Sequence, residues 1–234
     1  MATENDDLEK FIADCAEEDP DFLAMVEAAL QRRFLCAGEH RRLIDMTIDE
    51  AFATFPALAT QRLRLRKYEP SDATDLYAML SDAETMRYYS NETFQSLAEV
   101  EAYIILRRDD FARRREIRWG IARHDDNRII GSCGLHHFDE EFNRAETGYI
   151  LNRAFWGQGF MAEALSAMLT YGFTEMGLHR IEAVIDSANE RSKNLLLKLG
   201  FQYEGNLRQR FLFRGEFEDE HYFGLLRDEW RPKA

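Results

Sequence analysis

The chain has 234 residues, 45% of them hydrophobic and 12% aromatic, enough for one large domain or one domain with a small appendage. A formal net charge of −13 opposes a broad phosphate-binding surface, so direct nucleic-acid binding is not expected. No apolar run approaches the ~20 residues of a membrane span, which argues against membrane insertion.

The N-terminal residues are acidic rather than signal-like. Cys15, Cys36 and Cys133 are too widely spaced for a disulfide framework or a zinc site, so a reducing cytoplasm and no metal are expected. Residues 1–56 read as a helical appendage. Leu8, Phe11, Ile12 and Cys15 fall at helical spacing, and Asp19-Pro20 opens a helix ending near Gly38. Thr47-Ile48-Asp49-Glu50 is a capping box for a short helix that ends before Pro56. The appendage carries no chemical motif. Packing onto the body of the protein, or onto a second copy in a homodimer, is the default for such amphipathic pieces.

Residues 57–234 form the main domain. From Gln61 to Tyr68 the chain alternates, with Leu63 and Leu65 on one face and Arg62, Arg64 and Arg66 on the other, as in a half-exposed strand. Ser71 is expected to cap a helix to about Leu80, with a second short helical stretch from Ala83. Ser96-Leu97-Ala98-Glu99 is a capping box opening a helix to about Arg114, with Val100, Tyr103, Ile104 and Phe111 inward. The island Arg113-Arg114-Arg115 is a solvated helix end or an aid to anion binding. Trp119–Ala122 and Arg128–Phe138 flank the polar turn His124–Asn127, and Asp139–Asn143 leads into the strand Arg144–Leu151. Short polar turns between successive strands give an antiparallel meander. A helix over about Gly159–Met176, a strand over Arg180–Asp186, a helix over Asn189–Leu199 and a hairpin around Arg214-Gly215 complete a mixed sheet flanked by helices, an α/β (α+β) architecture.

The strand-to-helix turn at Gly157-Gln158-Gly159 carries the first chemical signal. Phe160, Ala164, Leu165, Met168, Leu169 and Phe173 fall on a helical period, so the glycines stand at a helix N-terminus. Free N–H groups and the positive end of the macrodipole meet an anion there, and glycine lets it come close. The run lacks the lysine of a P-loop. Gly157, Gly159 and Ala162 do satisfy the Rossmann fingerprint, but the chain that follows is too short for a dinucleotide fold and ends in an antiparallel hairpin. A turn shaped by glycine, with no ligand, is the remaining alternative.

Trp156-Gly157-Gln158-Gly159-Phe160-Met161-Ala162-Glu163-Ala164, together with Asn189-x-x-Ser192-x-x-Leu195-x-x-x-Leu199-Gly200-Phe201, resembles the acetyl-CoA-binding motifs of the GNAT acyltransferases. The narrower resemblance is to the branch of ribosomal-protein N-terminal (alanine and serine) acetyltransferases, through Thr60-Gln61-Arg62-Leu63-x-Leu65-Arg66, Trp119-Gly120-Ile121, Ile130-Gly131 and Leu225-Leu226-x-x-Glu229-Trp230. It covers about residues 58–230. The resemblance implies a GNAT-like fold and acetyl-CoA as cosubstrate, held by Tyr149, Ile150, Leu151, Trp156, Gly157, Gln158, Gly159, Phe160, Met161, Ala162, Asn189 and Asn194. It also implies an acceptor pocket beside the two early helices, for which Tyr88, Tyr89 and Asn91 are candidates alongside a role as core filler.

Direct acetyl transfer needs a base, a polarised carbonyl and help for the departing thiolate, with no covalent enzyme intermediate. Cys133 is therefore read as core. Glu146, two residues before Gly148, is the candidate base; the alternative is a strand glutamate facing water. Asn189 either bridges acceptor and pantetheine or simply caps its helix, with Ser192 in the first turn. The family's usual thiolate-protonating tyrosine is replaced by Leu196, which leaves Ser192, a tyrosine such as Tyr203 or Tyr222, water, or departure of CoA as the thiolate. His136 and His137 are adjacent on a strand, so one alone should face the site, and neither has an evident orienting carboxylate. The acidic runs Asp139–Glu141 and Glu216–Glu220 are solvated turns or attract a cationic amine. The expected activity is N-acetylation of a protein or peptide N-terminus, such as that of a ribosomal protein. A small-molecule amine (polyamine, amino acid or antibiotic) and a non-catalytic acetyl-CoA-sensing module are the alternatives.

Overall fold

Leu63–Arg66 alternates in burial, whereas Glu116–Arg123 and most of Ile129–Asp139 are buried on both faces, as the central strands of a sheet covered by helices must be. The computed structural model describes residues 48–232. Among them are helices α1 (Ile48–Ala51), α2 (Ala73–Leu80), α3 (Leu97–Ala112), α4 (Phe160–Thr174) and α5 (Glu190–Leu199). The strands are β1 (Leu58–Ala59), β2 (Leu63–Arg66), β3 (Glu116–Arg123), β4 (Ile129–Asp139), β5 (Arg144–Leu151), β6 (Arg180–Asp186), β7 (Gln202–Phe213) and β8 (Glu216–Leu226). They form one sheet in the order β1-β2-β3-β4-β5-β6-β8-β7. Every neighbouring pair is antiparallel except β5 and β6. No helix among the described residues is long and apolar enough to cross a membrane.

The parallel pair holds the key to the site. β5 and β6 are registered only from Arg144↔Arg180 to Glu146↔Glu182, although β5 runs on to Leu151 and β6 to Asp186. Beyond Glu146 the two strands part. Period-two alternation sends successive β5 side chains to opposite layers. Ala145, Thr147 and Tyr149 meet the layer that contains α4, where Thr147 Oγ1 touches Met168 Sδ at 3.7 Å. Ile150 packs with α2 and α3 on the other side, and Glu146 and Gly148 share its parity.

Two compact units divide the chain, residues 1–45 and 46–234. The first, with the helices expected over residues 7–17 and 19–38, lies outside the described residues, as does Thr47. The short helix before Pro56 does not belong with an appendage ending at residue 56. Ile48, Ala51 and Phe52 are buried in the core of the second unit, the Phe52 and Phe55 rings pack at a tilt against Phe111, and Trp119 Nε1 donates to the Pro56 carbonyl at 2.6 Å.

Two expected local features differ. Ser71 does not cap α2. Pro70–Asp72 form a 3₁₀ turn first, in which the Asp72 carboxylate accepts from Glu69 N at 2.7 Å and is gripped by Arg66 at 2.7 and 2.9 Å. The helix expected from Ala83 is a set of turns, because the Asp82 carboxylate accepts from both Thr85 N and Thr85 Oγ1, at 2.9 and 2.7 Å. Ser96 does cap α3, accepting from Glu99 N. Arg113-Arg114-Arg115 are exposed at the C-terminal end of that helix. The β7–β8 hairpin turns at Arg214-Gly215, both with positive φ.

Candidate active site

The turn before α4 is built as an open anion cradle. Gly157 has φ +73° and Gly159, the residue capping α4, has φ +81°. A Cβ added at Gly157 would meet nothing within 4 Å, and at Gly159 only an Arg62 nitrogen at 3.5 Å. The glycines thus supply a left-handed backbone and leave open space in front of the first-turn N–H groups of α4, which have no intrahelical acceptor. That space has room for an anion at the helix N-terminus.

The cradle is tied to the turn before β2 by one carboxylate. Glu163, in the first turn of α4, accepts from Thr60 Oγ1 at 2.6 Å, from Arg62 N at 2.8 Å and from Arg62 Nε at 2.7 Å. Arg62 also donates to the Gln158 carbonyl at 3.1 Å, and its guanidinium lies 4.3 Å over the Phe160 ring. Burial alone would raise the Glu163 pKa, but these hydrogen bonds hold it below its ordinary value.

One cleft of about 1220 Å³ joins the cradle to the strand split. Tyr149, Ile150, Leu151, Trp156, Gly157, Gly159, Phe160, Met161, Ala162, Asn189, Ser192 and Asn194 all line it. Gln158 does not, since its amide turns back to donate to the Ala154 carbonyl at 3.1 Å. Tyr88, Tyr89 and Asn91 border the cleft at its other end, with Phe211 and Phe213 of β7. Glu92 and Arg214, the next residue along on each border, pair at 3.4 Å.

At the fork of β5 and β6 stands Glu146. It is half-buried, and its Oε2 lies 3.1 Å from His137 Nδ1. The expectation that only one of His136 and His137 faces the site is overturned. β4 bulges between His136 and Asp139, with His137 at φ +50°, so the strict alternation is interrupted. Both imidazoles meet Glu146, their rings perpendicular with centroids 4.6 Å apart. The orienting carboxylate that the local sequence lacks arrives from the next strand.

Behind His136 lies a buried ion network. Glu116 accepts from Arg118 Nε at 2.6 Å and from Arg107 at 2.5 Å. Burial would raise the Glu116 pKa, yet the two guanidiniums bring it below normal. His136 is pushed down to about 4, chiefly by burial and secondly by the Arg118 charge, and is neutral near pH 7.

The α5 side supplies the other polar groups. Asn189 caps α5, its Oδ1 accepting from Ser192 N at 3.1 Å, so the capping role holds while the residue still lines the cleft. Ser192 Oγ is hydrogen-bonded to the Tyr149 hydroxyl at 2.5 Å. Leu196 is fully buried in the core. Tyr203 and Tyr222 do not line the cleft: Tyr203, on the edge strand β7, packs edge-on to His221 and Phe223 of β8, and Tyr222 lies under Arg210, within electrostatic reach of Glu146. Tyr149 is therefore the tyrosine beside Ser192. β5 alternation could have placed it on the α5 side, but nothing local joins it to a residue 43 positions on. Cys133 is buried, its thiol pushed up to about 12 by that burial, and is no nucleophile.

Likeness to known proteins gives the family. The model of the acetyltransferase (GNAT) domain matches residues 62–202. The chain is 39% identical over 173 residues to the uncharacterized N-acetyltransferase YoaA of Bacillus subtilis, covering 74% of this chain and 98% of that one. It is 26% identical over 157 residues to spermidine N(1)-acetyltransferase of Escherichia coli, covering 67% and 82%. A solved structure from Vibrio cholerae, assigned as a ribosomal-protein-serine acetyltransferase, superposes with a TM-score of 0.65 at 27% identity, covering 77% of this chain and 99% of that one. A cradle before α4, a fork between two parallel strands and these likenesses converge: the chain belongs to the GNAT family, whose fold uses acetyl-CoA, and it is an N-acetyltransferase.

Proposed function

We propose that this enzyme acetylates the N-terminal amine of a protein or peptide in the cytoplasm, with Glu146 as general base. The observation that carries the reading is the position of Glu146. It is the last paired residue of β5 before the fork, half-buried, with His137 at 3.1 Å to orient its carboxylate. The neutral amine forms the new C–N bond at the thioester carbonyl, Glu146 takes the amine proton, and the C–S bond breaks. The Ser192 hydroxyl, oriented by Tyr149, donates a hydrogen bond to the departing thiolate. The proton on Glu146 then passes to thiolate or water. An α-amine, with a reference pKa of about 7.7–8.0, asks only moderate help from such a base. A cleft of about 1220 Å³ is larger than the ~300–1,000 Å³ of most small-ligand sites and suits pantetheine plus an extended peptide end.

A polyamine acceptor is the second reading, favoured by one wall of the cleft. Asp186, Glu218 and Glu220 line it, and the Glu218 pKa is raised by burial and by the neighbouring Asp186 carboxylate. A polycation would relieve that crowding. The discriminating experiment offers acetyl-CoA with peptides bearing free or blocked N-termini, and with spermidine, and locates the acetyl group by mass spectrometry. Acetylation confined to free peptide N-termini supports the first reading, and acetylation of spermidine alone supports the second. Binding of acetyl-CoA with no transfer to any amine would contradict both and leave a sensing module.

A further inference from the structure

We propose that His136, His137 and Glu146 form a capture site for a divalent transition-metal ion with zinc-like ligand preferences. Filling it would switch acetyl transfer off. The site follows from backbone geometry. His136 and Glu146 are directly opposite one another in the β4–β5 register, and the bulge at His137 adds a second imidazole to the same spot. One ligand atom from each residue lies within 4.8 Å of the other two, and His137 Nδ1 and Glu146 Oε2 are already 3.1 Å apart.

Two imidazole nitrogens and one carboxylate oxygen suit zinc, cobalt or nickel, whereas magnesium and calcium favour all-oxygen sets. Metal–ligand bonds of about 2.0–2.2 Å put ligand atoms roughly 3–3.5 Å apart. The spacings left to close are those to His136, and the exposed His137 and the half-buried Glu146 are the side chains with room to move toward it. The three residues border the cleft, which leaves a coordination position open to water. Arg118, whose positive charge also bears on His136, opposes the cation and weakens its capture. An ion held by Glu146 occupies the electron pair that would take the amine proton. The inhibition therefore rests on Glu146 as base, and the binding does not.

The test titrates zinc chloride into the metal-free full chain by calorimetry, and follows initial rates of peptide or amine acetylation by mass spectrometry before free CoA thiol accumulates. One ion per chain should bind, magnesium should not, and saturating zinc should abolish transfer. His137→Ala, a change at an exposed side chain, should weaken zinc binding at least 10-fold. His179→Ala, at an exposed histidine outside the cleft, should leave the titration and the inhibition as in the parent. Zinc binding unchanged by His137→Ala would overturn the site. Stoichiometric binding that His137→Ala abolishes, with undiminished transfer in zinc-loaded parent, would keep the site and overturn its coupling to the base.

Discussion

The Tyr149 hydroxyl and Ser192 Oγ lie 2.5 Å apart, linking β5 to the first turn of α5 across 43 residues of sequence. Burial pushes the Tyr149 pKa well above its ordinary value of 10, so it keeps its proton, and its hydroxyl shares one hydrogen bond with Ser192 Oγ that holds the serine side chain in place. The buried Leu196 offers no proton, and in the mechanism proposed above this pair is the hydrogen-bond source for the thiolate.

Ser192→Ala is expected to lower kcat roughly 10- to 100-fold, below the ~10²–10³ lost with a main oxyanion donor because a thiolate needs less help. Tyr149→Phe should give a smaller loss in kcat with KM for the acceptor unchanged. Steady-state rates with chemistry rate-limiting check this. Both variants at the parent's rate would remove the pair from catalysis.

The Glu163 tie between α4 and the turn before β2 should preset the cradle. Glu163→Gln is expected to weaken acetyl-CoA binding several-fold and to cost about 1 kcal/mol of stability, discounted for the exposure of Arg62. The sign with pH follows from the lowered folded pKa. The parent's advantage over the variant is full above the ordinary value of 4.5 and fades as pH falls through the lower folded value. Melting curves of both proteins at pH 7 and below pH 4.5 measure the difference. An advantage that grows on acidification would contradict the account.

Residues 48–56 should prove part of the folded body. A chain beginning at Met46 is expected to retain acetyl-CoA binding, because every cradle residue lies downstream. A chain beginning at Ala57 loses Phe52, Phe55 and the Pro56 carbonyl beneath Trp119. Losses of about 3–5 kcal/mol for a single buried Phe are enough to lower its melting temperature by many degrees. Equal thermal stability of the two chains would refute the assignment.

How much of this was legible in the sequence varies with the range of the forces involved. Helix α4 and strand β5 could be read nearly to their ends, because the apolar period from Phe160 to Phe173 and the polar turn before Arg144 are local. The hairpin at Arg214-Gly215 was legible for the same reason. Side-chain caps that compete with helix were harder. Asp72 and Asp82 each replace an expected helical start with a turn, through hydrogen bonds that propensity does not weigh. The bulge at His137 was invisible, since an adjacent histidine pair on a regular strand must face opposite ways. Pairings across the fold, Tyr149 with Ser192 and Arg62 with Glu163, carry no local mark at all.

The most direct test of the account is the rate of Glu146→Gln as a function of pH, with chemistry rate-limiting. General-base contributions of about 10²–10⁴ set the scale, and an α-amine that is partly neutral at pH 7 draws on the lower part of it. The variant's kcat is predicted to fall roughly 10- to 1,000-fold at pH 7. The deficit should shrink as pH rises and free amine accumulates, while acetyl-CoA affinity stays that of the parent. A Gln variant with the parent's kcat across the pH range would contradict the account.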